Sequence, residues 1–341
     1  MKIVLTGGGT MGHVNPALAV AEQIKTLSPD SELFYITTKK QNEIEAVRAR
    51  GIECHPISAG KLRRYFSFEN LKDAFKVVIG YFQAAKILKK IKPDVVFSKG
   101  GYLSVPVVFA AHRLRIRTLT HESDSSLGLA TRINARYADK VLLGFPLSLA
   151  DGKKYIYTGN PVRKSILEAE VKDYGKPLIL VIGGSQGARE LNELVDHNFD
   201  ELTSLGFVYH QTGSLWEKHR EGENYYQTEF ISTEMGTLLK SCRVLITRSG
   251  AGALSEGIAA GAPMILVPLS KATRGDQMQN AKNAEAQGIA WVLENEEDFI
   301  PLVKKLVTDE DAYRAMKDRL ARLGDNDSAR KIASLVLDIQ E

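Results

Sequence analysis

Three runs of small residues in this chain have the types and spacing to hold an anion. Gly7, Gly9 and Gly12 match G-x-G-x-x-G and are followed at once by His13. A single glycine only eases a tight turn. Several in a row before a helix also let backbone amides approach a ligand. His13 puts a titratable imidazole at that helix start, where it could take a proton or simply pack. Gly183-Gly184-Ser185-Gln186-Gly187 offers a second cradle, with the Ser185 hydroxyl as donor or helix cap. The third run is Arg248-Ser249-Gly250-Ala251-Gly252-Ala253-Leu254-Ser255-Glu256. Glu256 could accept two hydrogen bonds from a ribose diol, or be a surface residue favoured by the helix dipole. Next comes Arg274-Gly275-Asp276-Gln277, in which the Gln277 amide suits sugar hydroxyls. Phosphate donors, a carboxylate and an amide fit a nucleotide-sugar better than a redox cofactor. A dinucleotide fingerprint also wants an acid at the end of the second strand. Here that strand ends in Thr37-Thr38-Lys39-Lys40, whose lysines suit an NADP phosphate, so an oxidoreductase stays open.

The elements that must carry these residues alternate. Lys2–Thr6, Leu33–Ile36, Val95–Phe97, Thr118–Thr120 and Val141–Leu143 read as strands in the first half. Leu178–Ile182, Phe207–His210, Val244–Thr247 and Met264–Val267 do so in the second. Between them lie helical patterns such as Pro16–Leu27, Glu69–Ile91 and Ala188–Leu205. Apolar strands separated by helices predict a parallel sheet covered on both faces. The strand–glycine turn–helix opening occurs twice, at residues 3–24 and 178–195, and Gly159 and Pro161 interrupt the pattern between them. The fold class is therefore α/β: two Rossmann-like, doubly wound parallel-sheet domains, residues 1–158 and 159–324, facing a cleft. Ligands bind beyond the carboxyl ends of such strands.

Composition narrows the classes. The chain has 341 residues, 44% hydrophobic and 25% charged, which excludes a disordered or fibrous protein. A net charge of +4 is too mild to argue for nucleic acid. Two distant cysteines, Cys54 and Cys242, exclude a disulfide framework and argue against structural zinc. No run approaches the roughly 20 apolar residues that span a bilayer. The basic segment Lys61-Leu62-Arg63-Arg64-Tyr65 leads into a helix on which Leu71, Phe75, Val78 and Phe82 form one stripe beside several lysines. Such a stripe faces a core or, alternatively, an anionic membrane surface; pattern alone favours the core.

GGGTMGH at 7–13, SKGGYLSVP at 98–106, HESD at 121–124, GNPVR at 159–163, GGSQGA at 183–188, RSGAGALSE at 248–256 and RGDQMQNA at 274–281 occur in one order. Together they resemble the MurG family within glycosyltransferase family 28, the undecaprenyldiphospho-muramoylpentapeptide β-N-acetylglucosaminyltransferases. The resemblance implies a GT-B fold whose last helix, at about 325–341, packs back on the first domain. It implies inverting transfer of GlcNAc from UDP-GlcNAc to the C4 hydroxyl of MurNAc in lipid I, forming lipid II for peptidoglycan, with no cofactor and no metal. By motif position, Thr10, Met11, Gly12 and Asp124 would touch the donor sugar. Arg163 and Ser185 would approach the diphosphate. Ile231 would frame the uracil, Ala251, Gly252, Ala253, Leu254, Ser255 and Glu256 would line the diphosphate and ribose, and Gln277 would hold GlcNAc. His13 is the first choice of base and Asp124 the second. Leu71, Phe75, Val78 and Phe82 become a membrane patch for anionic inner-leaflet phospholipids, which places the protein peripherally on the cytoplasmic face of the membrane, with other cell-wall synthesis enzymes as partners. Met11 and Asp124 depart from the glycine and asparagine common in the family. A UDP-GlcNAc 2-epimerase-like isomerase and a glycolipid synthase of the same fold are the alternatives.

Overall fold

The computed structural model describes residues 1–60, 68–145, 147–184, 187–268, 276–323 and 327–338, with only the backbone of residues 68–72, 74 and 276. Two compact units emerge: Met1–Arg163 with Asp327–Glu341, and Lys164–Asn326.

The first unit runs β1 (Lys2–Thr6), α1 (Met11–Leu27), β2 (Glu32–Thr37), α2 (Gln41–Arg48), β3 (Glu53–Pro56), α3 (Phe68–Ile91), β4 (Val95–Ser98), α4 (Ser104–Arg113), β5 (Arg117–Glu122), α5 (Leu129–Asn134), β6 (Lys140–Leu143) and β7 (Tyr155–Tyr157). Its strands form one parallel sheet in the order β3-β2-β1-β4-β5-β6-β7. Side chains alternate across it. Ile3 and Leu5 join one core with Leu18, Tyr35 and Phe97, whereas Val4 joins the other with Ile36, Val96, Leu88 and Leu103. Chain direction through the sheet reverses between β1 and β4. Loops after those strands therefore diverge and leave a crevice at their carboxyl ends.

The second unit runs α6 (Lys164–Leu167), β8 (Leu178–Ile182), α7 (Arg189–His197), α8 (Phe199–Leu205), β9 (Phe207–Gln211), β10 (Tyr225–Thr228), α9 (Met235–Ser241), β11 (Val244–Thr247), α10 (Ala251–Ala260), β12 (Met264–Leu266), α11 (Asp276–Ala286), β13 (Ala290–Val292), α12 (Phe299–Thr308) and α13 (Glu310–Leu323). Its parallel sheet has the order β10-β9-β8-β11-β12-β13, with its own reversal between β8 and β11. The last helix, α14 (Ser328–Leu337), belongs to the first unit and packs on α1. Arg117 fastens it by donating to the Leu335 and Val336 carbonyls at 2.7 and 2.9 Å.

Three local differences from the sequence expectations have simple causes. α1 begins at Met11 rather than Pro16, and Pro16 is tolerated within it. Proline there cannot donate to the Gly12 carbonyl one turn back, and Gly12 is exposed. The pattern 188–205 is two helices, not one. Asn198 is the shared cap, and its side-chain amide donates to the Leu194 carbonyl at 2.8 Å. Strands β3, β7, β10 and β13 were not expected, and each lies at a sheet edge. Among the described residues, no helix is long and apolar enough to cross a membrane.

Candidate functional site

The first glycine turn is held by an internal carboxylate. The Gly9 amide donates to Glu43 Oε1 at 2.8 Å, and the Thr37 and Thr38 hydroxyls donate to Oε2 at 2.8 and 2.6 Å. Glu43 is fully buried. Lys40 Nζ donates to the Gly9 carbonyl, and the Tyr35 hydroxyl to the Gly7 carbonyl. Gly9 has φ +94°, and a Cβ there would lie 2.5 Å from the Tyr102 ring. Thr37, Thr38 and Lys40 are thus engaged within the fold, while Lys39 is exposed.

His13 stands in the first turn of α1, after Thr10, Met11 and Gly12. Thr10 caps that helix without a side-chain bond, and its first turn carries no acidic residue. His13 as a residue keeps some exposure, but its Nδ1 is buried with no hydrogen-bond partner among the described residues. Burial, then the nearby Lys99 ammonium, lower its pKa to about 4, with hydrogen bonding to the Lys99 backbone and the Glu43 charge opposing by less. The imidazole is therefore neutral at pH 7. Gly101 (φ +78°) lets the chain pass close: a Cβ there would sit 3.0 Å from the His13 ring.

From β5, the loop 121–124 reaches the same crevice. Glu122 accepts the amides of Ser123, Asp124 and Gly128 at 2.9, 3.2 and 2.9 Å. Asn160 donates to the Ser123 carbonyl at 3.0 Å. Lys99, directly after β4, is 1% exposed; its Nζ reaches His121 Nδ1 at 3.0 Å and donates to Ser123 Oγ. His121 Nε2 lies 3.0 Å from the Gly159 carbonyl. Burial lowers the Lys99 pKa to about 8, opposed by the charges of Glu122 and Asp124. The structure thus gathers His13 and Asp124 around a buried lysine that the sequence reading did not single out. Lys99, Glu122 and Asn160 lie inside the motifs at 98–106, 121–124 and 159–163 but were given no role there. Glu43 was missed altogether, because it has the look of an ordinary surface polar residue. Arg163 closes this unit, partly exposed.

In the second unit the glycine turn after β8 needs its glycines. Gly184 and Gly187 have φ +92° and +77°, and a Cβ on Gly187 would lie 1.9 Å from the Thr212 carbonyl oxygen. Ser185 lies outside the described residues. Gln211, buried at the end of β9, donates to the Gly184 carbonyl and accepts the Ile231 amide, both at 2.9 Å. This residue, also missed from sequence, ties the anion cradle to the segment expected to frame a base. Ile231 itself is 3% exposed, so its backbone is what it can offer.

α10 opens without a side-chain cap and without an acidic first turn. Among the described residues, a Cβ on Gly250 or Gly252 would meet nothing within 4 Å. Ala251 is buried and can contribute only its amide; Leu254 is buried and its amide already donates to the Gly250 carbonyl at 3.0 Å, while Gly252, Ala253, Ser255 and Glu256 keep more exposure. Ser255 donates back to the Ala251 carbonyl at 2.7 Å. Ser249 donates to the Gln277 carbonyl at 2.7 Å, and Asn280 to the Ser249 carbonyl at 3.1 Å. These bonds bring the first turn of α11 against the start of α10. There, Gln277 Oε1 is buried without a hydrogen-bond partner among the described residues.

On α3, Phe75, Val78 and Phe82 are 68, 51 and 66% exposed. The core-facing reading of that stripe is therefore wrong for these three. Ile79 is exposed beside them. Leu71 shares the helix, but its side chain and residues 61–67 lie outside the description.

Residues 3–143 match the glycosyltransferase family 28 N-terminal domain and residues 178–334 its C-terminal domain. A Clostridium botulinum UDP-N-acetylglucosamine–N-acetylmuramyl-(pentapeptide) pyrophosphoryl-undecaprenol N-acetylglucosamine transferase is 42% identical over 319 residues, covering 89% of this chain and 90% of its own. The Clostridium kluyveri protein of the same name is 40% identical, with 98% of both chains covered. In fold, the chain matches Acinetobacter baumannii MurG (TM-score 0.76, 23% identity, 99% and 100% covered) and a Listeria monocytogenes protein described as a putative UDP-N-acetylglucosamine 2-epimerase (0.72, 15% identity, 100% and 97% covered). With both domain models matched in order and relatives aligned almost end to end, the chain belongs to glycosyltransferase family 28.

Proposed function

We propose that this chain transfers N-acetylglucosamine from UDP-GlcNAc to the C4 hydroxyl of MurNAc in lipid I, with inversion, to give lipid II. The second unit holds the donor, and the first presents the acceptor. The observation that carries the chemistry is His13 Nδ1: a buried, neutral nitrogen with no partner among the described residues, on the turn that would meet the donor sugar. A nitrogen with a pKa of about 4 is a weak base, but it is unprotonated throughout the working range. Weakness suffices here. As the acceptor oxygen bonds to an oxocarbenium-like carbon, its proton becomes strongly acidic and needs only a positioned acceptor. Asp124 is the second choice of base.

Donor binding follows from the second unit. The uncapped start of α10 aims amides at the diphosphate, aided by Ser185 and Arg163, which stabilise the charge developing on departing UDP. Glu256 accepts the ribose hydroxyls, Gln277 Oε1 accepts a GlcNAc hydroxyl, and the Ile231 backbone frames uracil. Thr10, Met11 and Gly12 touch the donor sugar. The exposed Phe75, Val78 and Phe82, with Leu71, dip into an anionic membrane face while neighbouring lysines meet the headgroups. The protein is thereby peripheral on the cytoplasmic face of the membrane.

The test is UDP release from UDP-GlcNAc, with and without a short-chain lipid I analogue. Release only with the acceptor is the expected result. Epimerisation of UDP-GlcNAc alone would instead make the chain an isomerase of the same fold. Flotation with anionic vesicles, lost in Phe75→Ser/Phe82→Ser, tests the membrane face.

A further inference from the structure

We propose that Lys99 is a positioning residue for the catalytic crevice: its buried ammonium fixes the tautomer of His121 and holds the 121–124 segment through Ser123 and the Asp124 charge. An ammonium cannot accept a hydrogen bond. The 3.0 Å contact from Lys99 Nζ to His121 Nδ1 therefore makes Nδ1 the acceptor. The ring proton must sit on Nε2, where it donates to the Gly159 carbonyl at 3.0 Å. Gly159 has φ +75° and abuts Ser328, whose Oγ would lie 2.3 Å from a Cβ at that position. One lysine thus locks the end of β5 to the segment that leads to Arg163.

A buried cation is unfavourable unless compensated. The hydrogen-bond partners of Lys99, His121 and Ser123, are neutral, so compensation comes from the carboxylates of Glu122 and, second, Asp124, both of which favour the charged lysine. Three backbone amides hold the Glu122 carboxylate in place. The titratable and charged groups around Lys99 are His13 on α1, Tyr35 on β2, Glu43 on α2, His121 and Glu122 on β5, and Asp124 beyond it. His13 and His121 both feel the lysine charge as a force against protonation.

The consequence for turnover rests on the transferase reading; the electrostatics do not, and the experiment separates them. The full chain is labelled at histidine nitrogen and titrated by NMR as wild type, Lys99→Met and Asp124→Asn. In wild type, His121 is expected as the Nε2–H tautomer. Lys99→Met is expected to turn His121 into a tautomer mixture and to move the His13 titration upward. In the transferase assay Lys99→Met should lose roughly tenfold in kcat. Unchanged His121 signals in Lys99→Met overturn the proposal. If Lys99→Met fails to fold, Asp124→Asn decides. The pH step near 8 that Lys99 imprints on the His121 signals must fall by about one unit, and a step that stays in place overturns the proposal. Wild type that transfers no GlcNAc yet shows the expected histidine shifts would sink the transferase reading and leave Lys99 its role.

Discussion

The turn after β1 and the turn before α10 are built from the same ingredients and end in opposite states. Both follow a fully buried inner strand, both are rich in glycine, and both open a helix without a side-chain cap. In the first, Glu43 arrives from α2 and takes the Gly9 amide, and Lys40 takes its carbonyl. In the second, among the described residues, no acidic residue occupies the helix start and a Cβ at Gly250 or Gly252 would meet nothing within 4 Å. Under the proposed function, the first turn carries its own anion at Gly9, whereas the second takes its anion from outside. A glycine pattern therefore states that amides are exposed to something, and only the rest of the fold says whether that something is internal.

The sharpest way to break this contrast is to remove chemistry from one unit and binding from the other. His13→Ala should lower turnover roughly 10²- to 10⁴-fold if it takes the acceptor proton. UDP affinity, measured by calorimetry, should stay within about twofold, because UDP is assigned to the second unit. Near-normal turnover would remove His13 from the role of base and pass it to Asp124.

Acid should separate the units next. His13 and His121 in the first and His210 in the second are held neutral, chiefly by burial; His13 and His210 titrate at about 4, and His121 is also lowered well below its ordinary value. A histidine in the unfolded chain takes its proton near 6.5. Between those values the unfolded state binds more protons, so stability falls as pH drops from 6.5 to 4. For His13 and His210 the shift amounts to about 3 kcal/mol each. The first unit has two of these groups, so it should fail first. Both tryptophans, Trp216 and Trp291, lie in the second unit. At pH 4.5, urea unfolding followed by circular dichroism should begin before the tryptophan signal moves. Coincident curves at both pH 7 and pH 4.5 would refute the difference.

Glu43→Gln tests the scaffold turn directly. One carboxylate now satisfies an amide and two hydroxyls, whereas an amide side chain brings a donor among them. The expected loss is about 1–3 kcal/mol, read from the urea midpoint, with UDP affinity unchanged. A stable variant that binds UDP poorly would mean that the first turn is no mere scaffold.

The sequence carried these features unequally, and the reason is burial. Inner strands such as Lys2–Thr6, Leu178–Ile182 and Val244–Thr247 are covered on both faces, read as continuous apolar runs, and appear with those bounds. The edge strands β3 (ECHP), β7 (YIY), β10 (YYQT) and β13 (AWV) are short and mostly half-exposed, and nothing in their composition separates them from loops. Site residues divided the same way. Glycines and His13 announce themselves by type and spacing, and the motif order carries the family. Glu43, Lys99 and Gln211 act through partners 34, 22 and 20 or more residues away, which no local pattern can show.

The smallest effect should come from copying the first turn into the second. Gly250 has φ −69° and ψ 139°, an ordinary conformation for any residue, and space for a side chain. Gly250→Asp would place a carboxylate at the N-cap of α10, as Glu43 does for Gly9. Aspartate is a good cap, so the folded state should gain about 0.5–1 kcal/mol over glycine or less. The same carboxylate would hold the amides offered to the diphosphate and repel its charge. UDP affinity should fall by about tenfold, a difference of roughly 1.4 kcal/mol, while the midpoint of unfolding holds or rises. Adding Glu43→Gln to this variant should leave the UDP loss unchanged, since the two turns answer to separate anions. A Gly250→Asp protein that binds UDP as well as wild type would show that the amides of α10 are not what grips the diphosphate.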